Sequence, residues 1–254
     1  MTKPMARRTF LRRAGIAGLA AVAGGSGAIY AARRGGLLPP DHGGLFGVSE
    51  TLTYGAQRLL VPHHTLAREF DRSQISKVAE INGYPPENDR YLELLAARFD
   101  DWRLTVDGLV ARPASFSLPE LQRMPRRSQI TLHVCEEGWS FIAEWTGVAL
   151  SHVLDLVGTS PAAKYVVFMP YDDWWGSLDM VDALHDQTLL AYGMNGGDLP
   201  TEHGAPLRLR VARQLGYVSI KYLSRIVVTD SLAAFGEGLG SAAPEIGYSW
   251  YAGI

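Results

Sequence analysis

Cysteine is almost absent from this chain: Cys135 is the only one in 254 residues. A single thiol cannot close an intramolecular disulfide, so Cys135 is a small buried hydrophobe, a nucleophile or a soft metal ligand. No Cys-x-x-Cys-His run offers a covalent haem attachment site. A basic surplus is lacking too. Of the 24 lysines and arginines, seven (Lys3, Arg7, Arg8, Arg12, Arg13, Arg33 and Arg34) precede the first acid, Asp41, which leaves 17 basic against 26 acidic residues and a net charge of −9 for the rest. A body so charged lacks the basic face of a nucleic-acid binder. No internal repeat is visible.

What is present reads first as an address. Arg7-Arg8-Thr9-Phe10-Leu11-Arg12 opens a Gly/Ala-rich apolar run, Ala14 to Ala32, and the pair of arginines before it is the mark of a twin-arginine export signal rather than of an ordinary anchor or a basic amphipathic helix. Residues 1–34 are therefore read as a signal that engages the twin-arginine export machinery and places the protein in the periplasm or beyond the cytoplasm. The run is nearly long enough to span a bilayer, so an uncleaved signal would leave a membrane tether. Gly35 to Phe46, rich in glycine and proline, reads as a linker, and residues 47–254 as one domain of ordinary globular composition.

The chain is organised around His133-Val134-Cys135-Glu136-Glu137-Gly138-Trp139-Ser140. Thr131 to Val134 predicts a strand that delivers the thiol to its end, Glu136-Glu137-Gly138 predicts a turn, and Ala149-Leu150-Val153-Leu154-Val157 has the spacing of an amphipathic helix. A second stretch, His203-Gly204-Ala205-Pro206-Leu207-Arg208-Leu209-Arg210-Val211, is followed by Gly216-Tyr217-Val218-Ser219-Ile220-Lys221. Alternation puts Arg208 and Arg210 on one face. Two same-face arginines commonly make a solvated strand face; a turn that fixes arginine near a lysine also suits a phosphate, which takes a planar fork and a point charge.

The run HVCEEGWSFIAEWTGVALSHVLDL, together with His203-Gly-Ala-Pro-x-Arg208 and Gly216-x-x-x-Ile220-Lys221, resembles the sulfite-oxidase-fold molybdopterin enzymes, in particular the branch that holds the catalytic subunit of the bacterial periplasmic methionine sulfoxide reductase system. The resemblance implies an α+β fold of mixed sheets and short helices, and one molybdenum-molybdopterin per chain with Cys135 bound to the metal. It implies that Arg208, Ser219, Ile220, Lys221 and His203 bind the pterin, His203 standing where the family has asparagine. The family's early pterin-contacting segment falls at His64, Thr65, Arg68 and Glu69, of which only the glutamate matches. Pro170 stands where the family places a threonine. The neighbouring histidines His63 and His64 otherwise read as a polar loop, since adjacent side chains diverge too far to share a metal.

The implied activity is two-electron oxo transfer. Glu136 and Glu137 lie where sulfite-oxidising members carry arginines, so a small-molecule S- or N-oxide is expected as substrate rather than an anion. Electrons would pass to or from a separate carrier, such as a membrane haem protein. Two further readings remain: a hydrolase using Cys135 as nucleophile with a histidine as base, and an exported pterin-binding protein without catalysis.

Other segments fill in the fold. Tyr91 to Phe99 predicts a short helix, and Trp102 to Val110 a strand broken at Asp107-Gly108. Ser117-Leu118-Pro119-Glu120 predicts a capped helix start. Lys164 to Met169 predicts a buried strand, Pro170 to Gly176 an aromatic loop, Ser177 to His185 a strand and small helix, Tyr222 to Asp230 a strand, and the remainder a tail packed on the body.

Overall fold

The structure, a computed structural model, describes residues 48–254. The export signal and linker expected over residues 1–46 lie outside that range. Strand β1 (Arg103–Gly108) buries Leu104 and Val106 and leaves the alternate side chains outward. Its end at Gly108 is steric: φ is +89°, and a Cβ there would come 2.1 Å from the carbonyl oxygen of Val228. The chain does not turn back at Asp107-Gly108; it runs on to β2 (Ala114–Ser117), which pairs antiparallel with β1.

β1, β2, β5 (Tyr165–Pro170), β6 (Gly176–Asp179) and β10 (Leu223–Thr229) form one sheet in the order β2-β1-β10-β5-β6, with β1 parallel to β10 and the other pairs antiparallel. The second sheet runs β3 (Arg126–Val134), β4 (Ser140–Ala149), β7 (Thr188–Met194), β8 (Gly197–Asp198), with β9 (Arg208–Val211) also on β7. Helices are short: α1 (Val48–Leu60), α2 (Asp89–Ala96), α3 (Leu118–Arg123), α4 (Leu150–Val157) and α5 (Met180–Ala183). This is the α+β arrangement of mixed sheets expected from the sequence.

Local chemistry accounts for the helix ends. Ser117 caps α3 by a reciprocal box: its backbone N–H donates to Glu120 Oε2 at 2.7 Å and its Oγ accepts from Glu120 N at 3.4 Å. Asn88 Oδ1 caps α2, accepting from Tyr91 N at 3.0 Å. Gly158, at φ +69°, stops α4.

β5, and β10 from Ile226 to Val228, are apolar on both faces because both faces are covered there. Val166, Phe168, Ile226 and Val228 point into the main core with Leu104, Val106, Val153 and Leu154. Their alternates Tyr165, Val167 and Val227 meet Tyr54 of α1 and Leu232, Trp250 and Tyr251 of the C-terminal segment. The tail is packed on the body, as expected, and holds α1 there with it.

Candidate active site

The β3–β4 hairpin carries the thiol. Pairing is continuous from Arg126↔Val148 to Val134↔Ser140, so the register of nine residue pairs fixes where β3 ends and where Cys135 sits. The connecting turn is closed by Cys135 N–H to the Trp139 carbonyl at 2.9 Å and Gly138 N–H to the Cys135 carbonyl at 3.1 Å, with Gly138 at φ +93°. Cys135 is 3 % exposed and opens on a cavity of about 490 Å³.

The cavity is assembled from six distant parts of the chain, one of them the C-terminal segment with Ile246 and Tyr248. His133, Cys135, Trp139 and Phe141 come from the hairpin; Asn82 and Tyr84 from a loop before α2; Trp174 from the β5–β6 loop; His203 and Arg208 from β9 and its approach; Tyr217, Ser219 and Lys221 from the segment before β10. Two glycines permit the close approach. A Cβ at Gly216 would lie 2.6 Å from His133 Nε2, and one at Gly204, at φ +108°, 2.8 Å from Lys221 Cβ.

Its floor is cationic. The Arg208 guanidinium is buried and donates only to backbone carbonyls, Nη1 to His203 at 2.8 Å and Nη2 to Ser219 at 2.9 Å. Lys221 Nζ donates to the carbonyls of Asn82 at 2.6 Å and Glu202 at 3.1 Å. No ion pair found among the described residues includes Arg208, Arg210 or Lys221. Burial, then the Arg208 charge, pulls the Lys221 ammonium down to about 8. His203 falls to about 4 for burial first and then Arg208 and Lys221, so its imidazole is neutral at pH 7. Burial and the same cations push His133 well down as well, and its Nδ1 is buried without a partner.

The thiol has different neighbours. Cys135 Sγ lies 3.4 Å from Glu136 Oε2, and Asn82 Nδ2 approaches both Sγ and Glu136 Oε1 at 3.5 Å. Burial, with a further contribution from Glu136, raises the Cys135 pKa. No histidine bonds the sulfur among the described residues, and a thiol held protonated beside a carboxylate is the reverse of an activated nucleophile. The geometry therefore does not favour the hydrolase reading. Around the mouth stand Glu80, Glu137, Asp172, Asp173 and Glu202.

Of the ten residues singled out from the sequence, Cys135, His203, Arg208, Ser219 and Lys221 share this cavity. Ile220 lies beside it but points away, its Cδ1 against Gly176 in the core. His64, Thr65, Arg68 and Glu69 are not in its lining. That segment runs along the outer edge of β3, where Glu69 bridges to Thr131 and accepts from Gln187 Nε2 at 3.2 Å, Thr65 offers its carbonyl to His185, and Arg68 stacks on Phe70. The early segment that does reach the cavity is Glu80 to Tyr84, some fifteen residues later. Its Asn82-Gly83 pair reads as an ordinary turn signal, which conceals it. Of the two readings of Arg208 and Arg210, the structure excludes the solvated strand face: both are buried, with their guanidinium groups 5.0 and 5.5 Å from the ring centre of Trp145. Arg210 is outside the cavity and donates to the carbonyls of Val211 and Leu132. Pro170 lies outside it too, paired with Leu223.

A buried thiol and two cations without acidic partners line one cavity. Residues 92–234 match the family described as the oxidoreductase molybdopterin binding domain, and the chain belongs to it. It is a molybdopterin-dependent oxidoreductase with the sulfite-oxidase type of fold. Over 197 residues it is 38 % identical to a protein named as a protein-methionine-sulfoxide reductase subunit, YedZ1, of Azospira oryzae, covering 78 % of this chain and 71 % of that one. It is 33 % identical over 145 residues to the protein-methionine-sulfoxide reductase catalytic subunit MsrP of Ralstonia nicotianae, spanning 51 % of this chain but 44 % of that relative. The sulfane dehydrogenase SoxCD of Paracoccus pantotrophus is a structural neighbour at 28 % identity and TM-score 0.49, over 52 % of this chain and 39 % of that one.

The residues fit the group the family binds. Its pterin phosphate is anionic, and Arg208 and Lys221 are cations whose hydrogen bonds end on neutral carbonyls. Its metal is thiophilic, and the one thiol of the chain opens on the same space.

Proposed function

We propose that this enzyme reduces a neutral S- or N-oxide, with Cys135 as the metal-binding thiolate and Arg208, Lys221, Ser219 and His203 holding the pterin. When bound, the cofactor supplies two-electron oxygen-atom transfer. The protein's part is to place and select. Arg208 presents a fork held by the His203 and Ser219 carbonyls, so it is ordered before a phosphate arrives. Lys221 adds a point charge, and the neutral His203 a single ring donor or acceptor without net charge.

The observation that carries the choice of substrate is the position of the carboxylates. Glu136 Oε2 is 3.4 Å from the sulfur that would bind the metal, and Glu137, Asp172 and Asp173 share the lining. Anions approaching this mouth are repelled, whereas an S=O or N–O dipole on a neutral molecule is not. Trp139, Phe141 and Trp174 give an apolar wall for the substituents on such an oxide.

Electrons are supplied one at a time by a separate carrier, for which a membrane haem protein is the expected kind. We place the enzyme on the far side of the cytoplasmic membrane, exported by the twin-arginine route and tethered by the run Ala14 to Ala32 when the signal is retained.

The test is metal analysis and pterin fluorescence on wild type and Cys135→Ser purified from a host that makes the cofactor, followed by turnover with a reduced dye. Near one molybdenum per chain in wild type, an altered metal spectrum in the variant, and dye oxidation by sulfoxides but not dye reduction by sulfite are expected. Stoichiometric cofactor with no turnover on any S- or N-oxide would leave a pterin-binding protein in place of an oxide reductase.

A further inference from the structure

Helix α1 is built inside out. Arg58 is 5 % exposed and Tyr54 3 %, whereas Leu52, Leu59 and Leu60 are 67, 69 and 80 % exposed. The spacing 52, 56, 59, 60 puts the three leucines and Ala56 on one stripe, and that stripe faces out while the arginine faces in. An ordinary surface helix does the reverse. Arg58 is fixed inside by Asp179 at 2.8 Å and Asp182 at 3.0 Å, so the helix cannot roll its leucines inward without stranding three buried charges.

Two segments tied near α1 also expose apolar side chains. Residues 62–67 follow α1 and are tied down by the Thr65 carbonyl on His185 and by Ala67 on Gln187; α5 is tied to α1 through Asp182. They expose Leu66, and Val181 with Leu184. Thus three of the fourteen exposed large apolar side chains found among the described residues share one face of one helix, which is how an interaction site differs from scattered exposure.

The chain ahead of α1 says what covers this surface. Ala14 to Ala32 is an apolar run bounded by Arg12, Arg13 and Arg33, Arg34, and fifteen residues separate Ala32 from Val48. At a maximum of about 3.3–3.6 Å per residue, they hold α1 within about 50 Å of the place where that run is seated. We propose that the leucine stripe of α1 rests on the lipid bilayer that holds Ala14 to Ala32, with the leucines among the upper acyl chains. The proposal rests on the tether described above. Tethering raises the local concentration of the contact, so a short stripe suffices where a free amphipathic helix would need more apolar area. Because Arg58 locks α1 to β6 and α5, the contact sets the orientation of the whole enzyme to the membrane.

The full-length holoenzyme is mixed with phosphatidylethanolamine/phosphatidylglycerol vesicles, with an environment-sensitive fluorescent amino acid at Leu59 or, as a second position, Leu52. A control probe sits at Leu156, an exposed leucine held by Arg112 near the β1–β2 connection, at the opposite edge of the sheet from β6. Flotation reports the tether; quenching by brominated acyl chains against aqueous iodide reports α1. The expected result is flotation, with the Leu59 and Leu52 probes quenched by brominated lipid at least about threefold more than the Leu156 probe and shielded from iodide. Flotation with probes as open to iodide as Leu156 overturns the α1 contact and leaves the tether standing. Shielding from iodide without lipid quenching also overturns it, because protein then covers the stripe. Failure to float overturns tether and contact together.

Discussion

The molecule holds two groups of buried or half-buried cations, and they differ in what neutralises them. Beneath α1, Arg58 meets Asp179 and Asp182, Arg213 lies 3.8 Å from Asp182, and Tyr54 Oη and Gln214 Nε2 donate to the same carboxylates at 2.6 Å. Around the cavity, Arg208, Arg210 and Lys221 meet only carbonyls, a hydroxyl and aromatic faces. The direction of titration follows: the acids hold Arg58 up against the lowering effect of burial, while burial pulls Arg208 down to about 10 with almost nothing to oppose it. A closed ion cluster of the first kind secures two chain segments to the body. An open one of the second kind is a standing cost in the empty protein that an anionic ligand removes.

That contrast is broken most forcefully at its two arginines. Arg58→Met leaves Asp179 and Asp182 buried with one cation fewer, and should destabilise the apoprotein by about 3–5 kcal/mol in urea unfolding. Arg208→Met should change apoprotein stability little or raise it, yet lower retained molybdopterin at least about tenfold after gel filtration, the loss of one charge-assisted fork. Equal unfolding penalties for the two variants would erase the distinction between them.

A smaller effect sharpens the closed cluster. Tyr54→Phe removes the 2.6 Å bond to Asp179 and should cost about 1.5–3 kcal/mol, since the acceptor is charged and stays buried. The open cluster has a pH signature instead. In apoprotein the Lys221 ammonium is lost near pH 8, and a bound anion holds its proton on, so affinity for sulfate should be full below about 8 and fall as pH rises through and beyond that value. Calorimetric titration should find this fall absent in Lys221→Met, whose affinity is already low below pH 8 and is approached by the wild type above it. The thiol acts in the opposite sense for the metal cofactor. On the proposed ligation Cys135 loses its proton when the cofactor binds, and burial holds that proton on beforehand, so each cofactor bound should release about one proton near neutral pH, a release missing in Cys135→Ser. Smallest of all, Arg90→Ala breaks an ion pair exposed at both ends and should shift stability by no more than about 0.5 kcal/mol, the surface baseline for both clusters.

Where sequence reading succeeded, the chemistry was local. Ser117 with Glu120, the alternation of β1, the two-sided apolar β5 and the β-turn after Cys135 all depend on neighbours within a few residues, and the motif around Arg208 and Lys221 carries its spacing with it. Where the placement was not legible, the deciding contact was remote. Thr65, Arg68 and Glu69 lie on the outer edge of β3 because Gln187 and His185, some 120 positions on, capture that segment. Asn82 reaches the thiol 53 positions away with no local mark beyond a turn dipeptide.

By itself the sequence determined the kind of protein this is: one thiol at a strand end, a phosphate-suited arginine and lysine, a basic N-terminal stretch ahead of an acidic body. Those are properties of residue type and short spacing, which the chain holds before it folds. Only the tertiary structure decided which cations face an acid and which await a ligand, which early loop closes the cavity, and that α1 turns its arginine in and its leucines out. Each of these depends on which distant side chain arrives to share a desolvated space, and burial in that space multiplies the consequence of every charge left paired or unpaired.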